Sequence, residues 1–556
     1  MKKSCTQCSA SFAITEEDLA FYDKVSPIFG GKKQAIPPPT FCPECRMQRR
    51  MSHRNIRHLY RSVSSKSGET LLSMYAPESN FTVYSQNEWW SDDWNPLQYE
   101  QPVDLSKSFF AQFGELRKLV PRFNVYNRES ENCEYVNYAP HNKNCYLLFG
   151  CWFDEDCFYG DTMMECKNCV DGLNVERSQL CYEQVDCDNN YNSIYCQTCS
   201  ETTDSACCFD CRGVQHCIGC WNLRNKQYHI FNEQASKEEV DALRAQFSNY
   251  EFTKKFLQDF RLRKQKQAIH KAVDGSNNEN CTGDFLFDCK NVYFAFVGYR
   301  SQDVRYASRF IDQKDSADLE GVGKGELVYE SMCNDFAYSS IGCTTCENLK
   351  SVFYSDLCFN CKDCFGCISL RNKQYCILNK QYTKEEYETL VLRIIEHMKK
   401  IGEWGEFFPI QLSPFAYNET LAQEFYPLSK RDIEENGWEW RDEEEPPKVE
   451  KVIPASQLPD SIKDIPDDIQ NWAVECEVTG KPFKITSQEL RFYREQNVPM
   501  PRRSPDQRYL DRFHQRNPRK FWNRKCAKCK KDMQTTYAPD RPEIVYCESC
   551  YLAEVY

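Results

Sequence analysis

Between Asn132 and Leu223 the small, apolar and polar residues recur neither every second position nor every 3.6, but every twelfth. One column reads Asn132, Asn144, Asp156, Asn168, Leu180, Asn192, Asp204 and His216. The next reads Cys133, Cys145, Cys157, Cys169, Cys181, Ser193, Ser205 and Cys217. The third is strand-forming, with Glu134, Tyr146, Phe158, Val170, Tyr182, Ile194, Ala206 and Ile218. A further small apolar column runs Ala139, Cys151, Met163, Val175, Cys187, Cys199, Cys211 and Leu223. A helix cannot keep a twelve-residue column on one face. A chain wound at about twelve residues per coil can, with Asn or Asp stacked at turns and thiols filling a core too narrow for leucine. The pattern predicts a thin β-solenoid.

A second copy follows. The segment CWNLRNKQYHIFNEQASKEE starts at Cys220 and CISLRNKQYCILNKQYTKEE at Cys367, 147 residues later, with thirteen of twenty positions identical. The repeated LRNKQY strand and the helix after it are expected to cap each solenoid's open end. Residues 236–272 read as one or two helices projecting from the first solenoid, and residues 312–326 as a linker-like interruption of the second.

The chain therefore divides into 1–60, a four-cysteine zinc ribbon with a basic helix; 61–128, a small α+β segment; 129–275 and 276–410, the two solenoid copies with their helical caps. After them come 411–470, an acidic, proline-bearing linker; 471–515, a degenerate ribbon copy; and 516–556, a C-terminal four-cysteine ribbon. The fold class expected is multi-domain and mainly β, with tandem narrow solenoids flanked by zinc-ribbon or treble-clef modules.

Of the 34 cysteines, the 25 between Cys133 and Cys376 include 22 that share one phase modulo three; Cys207, Cys281 and Cys333 depart from it. Disulfides and metal sites need no such phase, whereas stacked interior positions do, so most of these are read as reduced core thiols. The remaining pairs have ligand spacing. Cys5-x2-Cys8 with Cys42-x2-Cys45, and Cys526-x2-Cys529 with Cys547-x2-Cys550, each offer four thiolates for one tetrahedral ion, predicting two structural Zn2+. The stretch FAITEEDLAFY at Phe12 returns as FKITSQELRFY at Phe483. In that copy Thr479, Ser504 and Gln507 stand where Cys8, Cys42 and Cys45 would be. With Cys476 alone it should fold without metal.

The net charge of −12 argues against a protein that coats nucleic acid along its length. Both metal modules are nonetheless flanked by positive charge. On a continued helix Arg46, Arg50, Arg54, Arg57 and Arg61 would form one basic stripe, a candidate RNA phosphate track. The competing expectation pairs these arginines with the chain's own carboxylates. Trp89, Trp90 and Trp94 are expected to pack on their own sheet. No apolar run suits a spanning helix and no export signal is seen, so a cytoplasmic protein without membrane association is expected.

Residues 5–50, with FAITEEDLAFY and CPECR, resemble the probable zinc-ribbon domain family of bacteria. The whole chain, including NEWWSDDW, LRNKQY, SPFAYNET and RKCAKCKKDMQTTYAPDRPEIVYC, is similar to cysteine-rich zinc-ribbon proteins of small-genome candidate-phyla bacteria. The resemblance implies zinc at both ends and brings no activity with it.

No catalytic motif appears, so a non-enzymatic protein is expected. Three readings stand open: a zinc-binding scaffold engaging RNA or a ribonucleoprotein, a purely protein-binding solenoid scaffold, and a thiol-rich metal store or redox protein.

Overall fold

A left-handed corner every third residue sets the geometry of the repeat. From Glu129 to Phe231 every third residue has φ between +46° at Arg177 and +68° at Gly219, and the spacing recurs from Phe285 to Leu378. Twelve residues therefore carry four corners. Such a backbone costs about 1–2 kcal/mol at each ordinary residue, and less at Asn, Asp and Gly. The Asn and Asp column expected at turns is one of the four. Its members also bond along the stack: Asn132 Nδ2 donates to Asn144 Oδ1 at 2.9 Å, and Asn144 Nδ2 to Asp156 Oδ1 at 3.1 Å. The other three columns were illegible as turns because Tyr138, Leu147 and Phe153 share those corners.

The computed structural model describes residues 1–442 and 449–556. Strands in the repeats run parallel at an offset of twelve, as in Val170↔Tyr182 and Val175↔Cys187, and in Gln302↔Lys314 and Met332↔Thr344. Isolated bridges extend the first ladder from Glu131↔Lys143 to Arg212↔Arg224.

Hydrogen bonding explains the cysteines. The corner residue donates its N–H to a carbonyl thirteen residues back, as Asn144 does to Glu131 at 2.9 Å. The residue two places after the corner donates to a carbonyl eleven ahead, as Glu134 does to Cys145 at 3.1 Å. The interior residue between them has no rung of its own. Side chains one coil earlier accept its N–H instead. Cys157 Sγ accepts from Cys169 N at 3.4 Å, Ser205 Oγ from Cys217 N at 3.0 Å, and Asn190 Oδ1 from Thr202 N at 2.9 Å. The thiols in turn reach carbonyls, as Cys169 Sγ does to Lys167 O at 3.5 Å and Ser178 O at 3.3 Å. A buried backbone N–H without a partner costs about 1–3 kcal/mol, so small side chains with an acceptor atom are favoured inside. Cys145, Cys157, Cys169 and Cys181 all lie in this one buried core. Gly160 and Gly172 leave room for Met163, whose Sδ would lie 2.2 Å and 2.6 Å from a Cβ at those positions.

The out-of-phase cysteines follow the same geometry. One coil of the second ladder has eleven residues, pairing Glu279 with Lys290, so Cys281 still faces the core. Cys207 and Cys333 sit at corners, with φ of +54° and +52°.

Residues 312–326 are a correction to the sequence reading: no linker interrupts the second ladder. Val304 pairs with Ser316 and Arg305 with Ala317, and Leu319 and Val322 lie in its core. Asp318, within this stretch, serves a contact described below. Each ladder ends on an antiparallel hairpin, His229↔Gln234 and Cys376↔Gln381. An asparagine side chain replaces the missing next coil. Asn232 accepts from Trp221 N and donates to Trp221 O, both at 2.9 Å; Asn379 does the same with Ile368 at 2.8 and 2.9 Å.

The chain forms two compact units, neither continuous in sequence. Unit 1 holds Met1–Val125 and Val273–Asp442; unit 2 holds Tyr126–Ala272 and Glu443–Tyr556. In unit 1 Trp89 is fully buried and meets Phe123 and Phe359 edge-on at 5.4 and 5.5 Å. Much of the expected linker is packed: Phe415, Tyr417, Leu421 and Ile433 are buried in unit 1, and Ile462 and Ile465 in unit 2. Its acidic Glu443–Glu445 run lies outside the described residues. In unit 2 the helices Lys237–Ala245 and Tyr250–Gln267 do not project. Val240, Phe247 and Phe260 share a core with the ladder residues Val170, Tyr182 and Ile194. No described helix is long and apolar enough to cross a membrane.

Candidate metal centres

Three segments build the same clef. In each, a tight turn follows the first cysteine, and a helix starts just after the third ligand position. Cys5 N donates to Ala10 O, Cys476 N to Lys481 O and Cys526 N to Lys531 O, at 2.9, 3.0 and 2.9 Å. The turn's last residue is left-handed each time, Ser9 at +61°, Gly480 at +69° and Lys530 at +63°. The next N–H ties the turn to the segment entering the helix: Thr6 N to Thr40 O, Glu477 N to Arg502 O and Ala527 N to Val545 O. The helices are Pro43–Met51, Pro505–Phe513 and Glu548–Val555, with Cys42, Ser504 and Cys547 as N-caps.

In the first and last clefs four thiols converge. The Sγ atoms of Cys5, Cys8, Cys42 and Cys45 lie within 4.8 Å of one another, as do those of Cys526, Cys529, Cys547 and Cys550. Both groups could hold a metal ion. Cys8 Sγ to Cys42 Sγ and Cys529 Sγ to Cys547 Sγ are each 3.7 Å. A tetrahedral thiolate site with metal–sulfur bonds of about 2.3 Å has edges of about 3.8 Å, so the donors fit. Within each group the thiols divide: Cys42, Cys526 and Cys547 are pulled down, while Cys8, Cys45 and Cys550 are pushed up by burial and by their neighbouring thiols. Hydrogen bonding by Cys45 holds Cys42 down at about 5. Burial would raise Cys526, but N–H donors from Cys547, Cys529 and Lys528 bring it to about 6. Cys42 and Cys547 also sit at helix N-termini, where negative charge is stabilised.

The middle clef keeps the backbone without the ligands. Ser504 caps its helix by accepting from Gln507 N at 3.4 Å, and Cys476 is its one thiol at the four ligand positions.

Among the described residues, each unit docks one clef on its ladder by the same contact. In unit 1 Arg46 Nε binds Asp318 at 2.9 Å, and Arg50 Nη1 binds Asp318 at 3.0 Å and Glu330 at 2.9 Å. In unit 2 Arg508 Nε binds Asp171 at 3.1 Å, and Arg512 Nη1 binds Asp171 at 2.9 Å and Glu183 at 3.2 Å. Asp171 and Glu183 precede Asp318 and Glu330 by the 147 residues of the duplication. The aromatic contacts repeat too. Tyr22 meets Tyr329 at 5.6 Å and Tyr493 meets Tyr182 at 5.7 Å. Arg46 lies over Tyr306 at 4.9 Å, and Arg508 over Tyr159 at 4.6 Å. The N-terminal clef thus rests on the second ladder and the ligand-poor clef on the first. The C-terminal clef joins unit 2 through Ile544–Tyr546, parallel to Ile269–Lys271. Its Tyr551 hydroxyl accepts from Arg224 at 2.6 Å.

This contact corrects the arginine stripe. The helix ends at Met51, so Arg46, Arg50, Arg54, Arg57 and Arg61 share no helical face. Arg46, Arg50 and Arg54 are buried, at 1%, 0% and 2% exposure. Arg57 is half-buried, and Arg61 is exposed on the strand Tyr60–Val63. Arg49, which the sequence reading passed over, is also buried and binds Glu330 and Glu406, both at 2.8 Å. Of the clef's acidic partners, Asp318 was hidden in the supposed linker. The signal that could have found it is the 147-residue offset linking Asp318 to Asp171, with Arg46 aligned to Arg508.

No protein-family model matches the chain, and no curated protein matches it either.

Proposed function

We propose that the protein is a non-enzymatic zinc-binding scaffold in which the two ladders are rigid β-solenoids and the clefs are zinc-ribbon modules. The observation that carries this reading is the repeated clef: two copies bring four thiols together, while a third holds the same backbone without them. A four-cysteine set suits Zn2+ best, since soft thiolates in tetrahedral array select it. The cysteine-rich zinc-ribbon proteins named above are the group this reading places it with.

Native mass spectrometry tests the stoichiometry. Two zinc ions per chain are expected, falling to one in Cys8→Ser/Cys45→Ser. Zero, or five and more, overturns the assignment and in the latter case favours a metal store.

The partner we propose is protein. Arg46 and Arg50 are committed to Asp318 and Glu330, which speaks against phosphate contacts through them. RNA filter binding at two salt concentrations should show no steep salt-dependent affinity. A slope of about 0.7 per phosphate neutralised would restore the RNA reading.

A further inference from the structure

Unit 2 contains a cavity of about 190 Å³ beside its docking contact, and comparison of the two docking contacts says what it lacks. Its lining includes Glu183, Tyr182, Tyr195, Tyr250, Leu257 and Met500. Glu183 corresponds to Glu330, and Asp511, seven residues into its module from the N-cap Ser504, to Arg49, seven from Cys42.

In unit 1 Glu330 is fully met. Arg49 Nη2 binds one carboxylate oxygen at 2.8 Å and Arg50 Nη1 the other at 2.9 Å. In unit 2 Asp511 replaces that first arginine and turns to Arg503 at 2.7 Å. Glu183 keeps a single ion pair among the described residues, to Arg512 Nη1 at 3.2 Å, and that same atom is also held by Asp171 at 2.9 Å. The buried group accordingly holds one cation too few: Asp171, Glu183 and Glu489 face Arg508 and Arg512. Burial lifts the Glu183 carboxyl to about 7 against the pull of Arg512. Of the cations that also line it, Arg502 is matched by Asp460 at 2.5 Å and Arg503 by Glu477 at 2.7 Å. Lys254 lies 4.0 Å from Glu251, and Arg261 is solvent-exposed.

We propose that this cavity binds a small organic cation whose guanidinium or primary ammonium group pairs with Glu183, in the place that Arg49 takes beside Glu330 in the other unit. The carboxylate supplies the charge-assisted hydrogen bond. Tyr182 and Tyr195 add aromatic lining that favours a desolvated cation, while the ring of Tyr250 is already covered by Arg502 at 3.9 Å. Unit 1 shows the chemistry that completes such a site, because there the chain provides the guanidinium itself. The site rests on neither the metal assignment nor the scaffold reading.

The test is a ligand-observed NMR titration of the zinc-loaded full chain with ethylguanidinium, and with N-ethylurea as the uncharged control of the same shape. Saturable binding of ethylguanidinium in the millimolar range that a fragment of this size reaches is expected, with N-ethylurea at least tenfold weaker. Glu183→Gln should weaken ethylguanidinium at least tenfold. Asp511→Arg, which installs the arginine of unit 1, should abolish binding by filling the cavity, and it decides the matter if Glu183→Gln fails to fold. No saturable binding to the wild type, equal binding of the urea, or unchanged binding in a folded Asp511→Arg protein overturns the proposal.

Discussion

At the scale of single residues, the interior of each ladder is selected for hydrogen-bonding capacity as much as for size. Cys157 illustrates this, since its sulfur accepts from Cys169 N at 3.4 Å and reaches Glu155 O at 3.3 Å. Cys157→Ser keeps both roles, as Ser193 and Ser205 do in the same column, and should change stability by less than about 1 kcal/mol. Cys157→Val strands the Cys169 N–H and should cost about 1–3 kcal/mol more, read from urea midpoints. Asp154 occupies an interior position with one carboxylate oxygen accepting from Cys166 N at 2.8 Å and the other without a partner among the described residues. Burial pushes its carboxyl up to about 8, with the Cys166 N–H pulling down. Because the folded value lies above the unfolded one, near 4, the native state holds a proton that the unfolded chain has released. Its contribution to stability is therefore lost progressively as pH rises from about 4 to 8. Asp154→Asn should remove that slope and stabilise the protein by roughly 2 kcal/mol or more at pH 8. A thermal-melt series across pH checks this; an unchanged slope counts against it.

At the scale of elements, the ladder and the clef are held together by buried charge. Arg50 and Asp318 are each 0% exposed in their side chains, and Glu330 is 1%. Removing one partner leaves uncompensated carboxylates inside, which costs about 3–5 kcal/mol. Arg50→Met should lower the denaturant midpoint accordingly, and Arg512→Met should do the same through Asp171 and Glu183. Adding Asp318→Asn to Arg50→Met should recover part of the loss, since it removes one stranded charge. If the double variant is no better than the single one, the arginine contributes packing rather than charge pairing. The same contact explains a misreading of the sequence. Asp315 and Asp318 looked like linker residues, because their partners Lys24, Arg46 and Arg50 lie more than 250 positions away.

At the scale of the whole molecule, the two units repeat one design with different clefs, and metal dependence should follow that difference. Structural Zn2+ contributes on the order of 10–16 kcal/mol to the folding of small finger peptides. Chelation should therefore strip hydrogen-exchange protection from Pro43–Met51 and Glu548–Val555, the helices that begin at ligand cysteines. Pro505–Phe513, which begins at Ser504, should stay protected, as should the ladders. Loss of protection in all three helices at equal chelator concentration would show that the middle clef depends on its neighbours rather than on its own contacts.

Local periodicity and ligand spacing were enough to reveal the twelve-residue register, the interior thiol phase, the two four-cysteine groups and the ligand-poor third copy. Each of these repeats or closes over a short span, so composition and spacing carry it. The tertiary structure alone decided where the arginines point, which acids they meet and which clef rests on which ladder. A row of Arg46, Arg50 and Arg54 has the same spacing whether it faces solvent or carboxylates. Burial beside Asp318 and Glu330 depends on a chain reversal of more than 250 residues, and no local pattern encodes it. The corner at every third residue was equally hidden, because only the closed coil forces Tyr138 and Leu147 into a backbone that they would otherwise avoid.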